Sequence, residues 1–599
     1  MPHYYPLLIP LAPLLAGVMM GLLGNRVGQK VYRIGVLGQV VALLASLLTL
    51  HTVTTRGAIH FPLFAPFGFY IDRLAAVMMV SITVFSTLVT LFSMRYMQQE
   101  RRYSWFHALI CFTSFALLCM VSSANLLMLF IFWQTLSGLL ALLSFNYSHD
   151  KTVQGAFKTY TILRVGDAAF LAGIVLTYYI YGTLDLPQLF IRAADAPVVF
   201  SLGGIIEIKA VTAITLLIFI GAMSKSAQFP LHIWLPDALY APTPVHALLH
   251  AGIINAGGFL LNRLAPLYGL SPTSLHVVFV IGMITTLFGS SMMLIQNDIK
   301  KTLGYSTIGQ MGYMIMECGL GAFGLAVFHL IAHGLFKATI FLNCGNVIHA
   351  ARQEPRLPFK NNAVEGIKFS NLTWFTGLIT TLILPLVILL ATHDILRINL
   401  ADSQGNLVFL FFAWVTASQA ILTLYRLRAV DSWKGVTTPA VAVIMLMTLL
   451  FIIATYLWAA ESFSHFLYPV PDDVAYYFNV AAFPGWLFNA LVVATGLFIF
   501  IGWVMIYAKS HGKTMQMPDV INGLQVRLYV LFMNRLYLDL LYLKLGRGFT
   551  RFSYRVGLIV LSLILPLMMG INGFSLVEIA LFLGVALMMP LLELVPWTK

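Results

Sequence analysis

A chain of 599 residues that is 60% hydrophobic and only 10% charged has too little polar surface for a water-soluble domain, in which about a quarter of residues carry charge. Its mean hydropathy of +0.88 and its repeated apolar runs mark a polytopic α-helical membrane protein. The 35 Lys and Arg against 22 Asp and Glu fit the basic cytoplasmic loops of such a protein, and nucleic acid is not an expected partner.

Counting apolar stretches long enough to cross a hydrocarbon core predicts about 15–17 transmembrane helices. The clearest lie at 4–23, 32–52, 74–94, 106–122, 124–146, 158–181, 210–225, 241–264, 273–295, 302–320, 323–349, 372–391, 406–426, 438–460, 484–507, 555–571 and 574–595. The first run lacks a basic leader and an Ala-x-Ala site, so it reads as a retained helix. The basic loops 25–30 and 95–102 should face the cytoplasm, although counting spans gives one of them an imperfect alternation. Between them Pro62, Pro66 and Gly68 punctuate a hairpin-like stretch, 59–71, expected on the opposite side.

Within this apolar background Lys225 stands out, in what reads as the middle of an apolar helix. An ammonium at membrane depth costs a few kcal/mol or more, so it is rare unless it serves an ion path. Snorkelling to an interface is the plainer alternative. Pro230 and Pro236 follow and should break the helix, as tolerated where freed carbonyls line a buried or hydrated cavity. The next helix carries His246 and His250 at i, i+4, both on one side. Further on, His329, His333 and Lys337 are spaced i, i+4, i+8, which advances about 40° per step and makes one stripe. A lone buried histidine is more often structural, but two histidine pairs near two intramembrane lysines read as a proton relay. Cys111, Cys119, Cys318 and Cys344 fall in apolar helices without CxxC spacing, which argues against a metal, disulfide or redox role. No phosphate loop or dinucleotide fingerprint is present, so no cofactor and no catalytic chemistry are expected in this chain.

The stretches from Lys225 to Ala238 and from Pro242 to Ala251 resemble the signature of the antiporter-like subunits of respiratory complex I, a family that includes Mrp-type cation/proton antiporters and membrane subunits of energy-coupled inorganic carbon pumps. Arg164 to Asp167, Asp298 to Thr307 and His329 to Lys337 match as well, and Asn534 to Tyr542 resembles the C-terminal signature of the large L branch. The resemblance implies an all-α fold of two inverted five-helix repeats with broken helices, flanked by extra helices. In these terms 1–105 holds N-terminal transmembrane helices, 106–265 a first antiporter-like bundle, 266–430 a second, and 431–599 C-terminal transmembrane helices.

Departures from the pattern point to a branch. The family carries an intramembrane glutamate after a tryptophan, partnered with the first lysine; here Gln134 follows Trp133 and cannot bear charge. A lysine-aspartate-glutamate motif is replaced by His393 and Asp394. Beyond Tyr542 two membrane-length runs leave no room for the long lateral helix of complex I. The stretches 250–260 and 316–323 are similar to DabB-type carbon-pump subunits. That resemblance implies a proton or cation path through Lys225, His246, His250, His329, His333, Lys337, Gln134, His393 and Asp394. It also implies a soluble, zinc-containing DabA-type partner in which CO2 hydration takes place, and a multi-pass position among the lipids of the cell inner membrane. The alternatives are a complex I-type L subunit among other complex I-like membrane subunits, a cation/proton antiporter subunit, and a non-transporting scaffold.

Overall fold

A computed structural model describes residues 4–353, apart from 65–66, 101, 145–149, 196–197, 203–205, 239–240 and 297, together with 519–540 and scattered positions between 379 and 501. The expected positions His393 and Asp394 lie outside the described residues, as do the spans from 372 onward and the second bundle beyond 353, apart from those scattered positions.

The described part is helical, as its composition requires. Helices α1 (Leu8–Val27) and α2 (Tyr32–Arg56) run antiparallel, each ended by a glycine at positive φ, Gly28 at 62° and Gly57 at 90°. A hairpin of β1 (Ile59–Phe64) and β2 (Phe67–Ile71) follows, with Ile59 opposite Ile71. This is the hairpin foreseen from Pro62, Pro66 and Gly68. Asp72 then caps α3 (Arg73–Tyr96) by accepting the Ala75 amide at 2.8 Å. Next come α4 (Tyr103–Val121), α5 (Leu126–Ser144), α6 (Asp150–Tyr181) and the short α7 (Leu186–Asp195). A second hairpin, β3 (Val199–Leu202) with β4 (Ile206–Lys209), was not anticipated from the sequence. It leads into α8 (Ala210–Lys225).

Beyond α8 lie α9 (Thr243–Leu248), a π-helical turn (Leu249–Ile253) and α10 (Ala256–Arg263). Together they make one almost wholly buried span, Thr243–Arg263. The short α11 (Ala265–Gly269) precedes three long helices, α12 (Pro272–Leu294), α13 (Ile299–Gly319) and α14 (Phe323–Gln353). Among the described residues nine helices are long and apolar enough to cross a membrane, and α8 is a shorter apolar one. Helix α13, expected as a span at 302–320, carries too many polar residues to count with them. A last described helix, α15 (Asp519–Met533), crosses the division of the chain into two compact units, Met1–Gln525 and Val526–Lys599.

The span count that gave one basic loop an imperfect alternation needs correction. Gln98 donates to Gln29 Oε1 at 3.1 Å, so the loops after α1 and α3 lie side by side at one end. Loops one pair of antiparallel helices apart must share a side, and the alternation is regular. Arg26, Lys30, Arg95, Arg102, Lys300 and Lys301 gather at this end, which the positive-inside bias assigns to the cytoplasm. The opposite end is marked by the first hairpin and by Arg263, at the end of α10, paired with Asp72 at 2.6 Å.

Close backbone contact holds the site helices together. A Cβ at Gly221 on α8 would come 2.7 Å from the Cβ of Phe170 on α6. Gly221→Val should therefore force α6 and α8 apart and cost about 1–3 kcal/mol. Thermal unfolding in detergent should show a lowered midpoint, whereas Gly21→Val, where a Cβ meets nothing within 4 Å, should leave it in place.

Candidate functional site

Lys225 is fully buried, and it is the last residue of α8 rather than a residue in mid-helix. The chain turns there: Ala227 takes φ 49°, and Phe229 and Pro230 lead into a short 3₁₀ turn, Leu231–Trp234. Carbonyls freed by the break find donors within it. Trp234 Nε1 donates to Ser224 O at 2.8 Å, and Gln228 Nε2 to Ser226 O at 2.8 Å. Ser226 Oγ donates to Ile254 O at 2.6 Å, tying the break to the start of α10.

The Lys225 ammonium donates to Trp133 O at 2.8 Å and to Ser137 Oγ at 2.6 Å, and stands 4.8 Å above the Trp133 ring. Three features of α5 thus receive one buried charge. A cation over an indole face is attracted by its quadrupole, most strongly where water is excluded. The same tryptophan donates Nε1 to Asp167 Oδ1 at 2.8 Å, and Arg164 pairs with Asp167 at 3.1 Å.

Gln134 does not face Lys225. Its Oε1 accepts from the Arg164 guanidinium, a contact set by the helical rotation that turns Gln134 away from its neighbour Trp133. The expected partnership of Gln134 with the first lysine is therefore replaced. Among the described residues, the chargeable groups within electrostatic range of Lys225 are Asp167 and Arg164, both on α6. The sequence reading noted their motif but gave them no role. Their spacing of i, i+3 on an apolar helix was the available signal. Toward the cytoplasmic end Lys158 and Asp237 form a further pair at 2.6 Å.

The histidines assemble largely as their spacing foretold. His246 and His250 bring their ring centroids to 6.4 Å, and His246 Nε2 contacts Ala241 O at 3.0 Å. His250 lies in the π-helical turn and stacks on Phe341 of α14, with centroids 4.3 Å apart and planes within 6°. Such turns widen the backbone ring by one residue and recur at functional sites. On α14 the rings of His329 and His333 are 6.2 Å apart, and Lys337 donates to Ser306 Oγ on α13 at 2.8 Å. His333 is within electrostatic range of Lys337, His329 and His250, so the two histidine pairs converge where α9 and the π-helical turn meet α14. Neither ring nitrogen of His250 or His333 meets a hydrogen-bond partner among the described residues. Buried and unpaired polar atoms cost free energy that packing alone does not return.

Comparison with known proteins adds to this geometry. A family described as "NADH:quinone oxidoreductase/Mrp antiporter, TM" matches residues 123–423, and one described as "NADH-Ubiquinone oxidoreductase (complex I), chain 5 N-terminus" matches residues 62–107. The chain is 38% identical over 546 residues to the "Probable inorganic carbon transporter subunit DabB1" of Halothiobacillus neapolitanus, covering 89% of this chain and 95% of that protein. It is 35% identical to the NADH-quinone oxidoreductase subunit L of Neisseria meningitidis serogroup A, covering 63% of this chain but only 58% of that one. Among solved structures, a chain of the Mrp complex from Dietzia sp. DQ12-45-1b superposes with a TM-score of 0.55 at 19% identity, over 95% of this chain and 63% of that chain. A chain of respiratory complex I from Thermus thermophilus gives 0.55 at 18%, over 80% and 100%. These two likenesses speak to the fold alone.

Substitutions at the first lysine should separate charge from packing. Lys225→Ala removes a buried ammonium, so membrane levels should hold while cation flux in vesicles, read with a pH-sensitive dye, falls ~10-fold or more. Trp133→Phe keeps the aromatic bulk but deletes the donor to Asp167 and should lower flux less. Gln134→Glu should strengthen the bond to Arg164, and the pH profile of flux should move less than for Asp167→Asn.

Proposed function

Because this chain belongs to the transmembrane family of NADH:quinone oxidoreductase and Mrp antiporter subunits, we propose that it is the ion-translocating membrane subunit of an energy-coupled inorganic carbon pump. One observation carries the choice of branch: the alignment spans 95% of the Halothiobacillus carbon-transporter subunit but stops at 58% of the Neisseria complex I subunit. In this reading protons, or another cation, cross through two linked half-sites. Lys225 takes and gives its proton against Trp133, Ser137 and the Asp167–Arg164 pair. His250, His333 and Lys337 pass it along the contact between the π-helical turn and α14. The break after Lys225 lets α8 end at depth, so the ammonium need not climb a helix to reach its acceptors.

The chemistry of CO2 hydration is assigned to a soluble, zinc-bearing partner, and the flow of cations through this chain drives it in one direction. Proton passage through buried groups suits that division, since a relay needs only groups that exchange protons with little motion. A complex I-type L subunit or a cation/proton antiporter subunit is the second reading, favoured by the 35% identity to subunit L.

Expressed alone, the full chain should give no bicarbonate accumulation. Expressed with a soluble zinc-bearing partner, it should confer inorganic carbon uptake that collapses with an ionophore. His333→Ala and Lys337→Ala should each remove that uptake, measured with labelled bicarbonate, while the partner still copurifies. Copurification with quinone-reductase subunits instead would move the chain to the second reading.

A further inference from the structure

One buried carboxylate plays no part in the relay described so far. Glu317 lies near the C-terminus of α13 and is 1% exposed. Its Oε2 is 3.0 Å from His329 Nδ1, and its Oε1 has no hydrogen-bond partner among the described residues. The other ring nitrogen of His329, Nε2, stands 3.2 Å from Gln310 Oε1, and Gln310 is exposed. The Tyr313 ring lies 5.2 Å from His329, and among the described residues the Cys318 thiol is the remaining titratable group within electrostatic range of Glu317.

The pair sits at a defined end of the protein. Asn262 donates to Cys318 Sγ at 3.7 Å, and the adjacent Arg263 binds Asp72. Glu317 and His329 are therefore at the end marked by the first β-hairpin, opposite the basic loops. From His329 the stripe runs inward through His333 to Lys337, about 12 Å along α14.

We infer that Glu317 is a proton-carrying residue that, with His329, forms the titratable terminus of the α14 stripe at the β-hairpin end. Gln310 Oε1 accepts from Nε2–H, so a neutral His329 presents Nδ1 as an acceptor to Glu317. One proton then occupies the short link between Oε2 and Nδ1. When it moves from the carboxylic acid to the imidazole, the products are a carboxylate and an imidazolium. Release of the Nε2 proton towards His333, whose ring is 6.2 Å away, leaves a neutral imidazole of the opposite tautomer. A proton arriving at the carboxylate from the hairpin end restores the charge, and a turn of the His329 ring about its Cβ–Cγ bond exchanges the two nitrogens and restores the starting tautomer. Transport in the other direction reverses each step. The pair costs least in a low-dielectric site when it is net neutral, so a proton added at one side favours the loss of one at the other.

The inference rests on the reading of this chain as ion-translocating and not on its carbon-pump branch. The test uses the full chain, with its partner where one is required, in vesicles under an imposed ion gradient, with flux read by a pH-sensitive dye. Glu317→Gln keeps the shape and a hydrogen bond to His329 but carries no exchangeable acid proton. It should lower flux ~10-fold or more with an unchanged unfolding temperature. Glu317→Asp should restore part of the flux with a displaced pH profile, and Glu100→Gln, in an exposed loop, should behave as the wild type. Wild-type flux in Glu317→Gln overturns the inference, since a tether between α13 and α14 survives that change. If Glu317→Gln is also less stable, Glu317→Asp decides: flux regained supports the inference, and none regained overturns it. A wild-type chain that moves no cation defeats the ion-translocation reading by itself. Infrared difference spectra across pH then still decide on Glu317: a carboxylic acid band lost in Glu317→Gln supports proton exchange there, and its absence from the wild type overturns it.

Discussion

The burial of one ammonium group constrains the architecture around it. Stripping Lys225 of water costs several kcal/mol unless acceptors replace its hydration shell. Trp133 O and Ser137 Oγ supply them, and the indole face adds a third attraction. A backbone carbonyl inside an intact helix can accept in this way only if the donor arrives from another element at the right height. Ending α8 at Lys225 meets that condition. The side chain leaves the helix terminus towards α5, and the break packs its own freed carbonyls with Trp234 and Gln228.

From this contact the neighbouring helices follow. Trp133 must lie beside α8, and its indole nitrogen, turned the other way, needs an acceptor in an apolar interior. Asp167 meets it, and the charge of Asp167 requires Arg164, which in turn occupies Gln134. Four residues on two helices thus form one connected polar network inside the membrane. The glycines at the crossing of α6 and α8 let the backbones come close enough for it to close.

The second half solves the same problem by different means. Lys337 lies inside an unbroken helix and reaches a serine hydroxyl on α13. The irregularity is instead in its partner span, where the π-helical turn carries His250 against Phe341. Each lysine is thus accompanied by one distorted backbone element, the break that follows Lys225 and the π-helical turn packed near Lys337. Imidazoles lie where the two halves approach, and two neighbouring imidazoles can share charge that neither would hold alone in a low dielectric.

Much was legible in the chain before any fold was known. The membrane class, the helices predicted at 74–94 and 210–225, the hairpin at 59–71 and the shared face of His329, His333 and Lys337 follow from local rules. Apolar length, proline and glycine punctuation, and the 3.6-residue period act within one segment and need no partner. What lay beyond reach were relations between segments. Gln134 follows Trp133 in sequence, yet the two side chains serve different partners because α5 presents them to different neighbours, Arg164 and Lys225. The bond between Glu317 and His329 joins two helices across a tight turn, and no spacing rule announces it. The two basic loops share a side because helices pair antiparallel, a fact visible in the Gln29 contact with Gln98. Composition and period determine where helices form, whereas which buried polar group meets which is decided by interhelical packing, because only there must each desolvated charge find its acceptor.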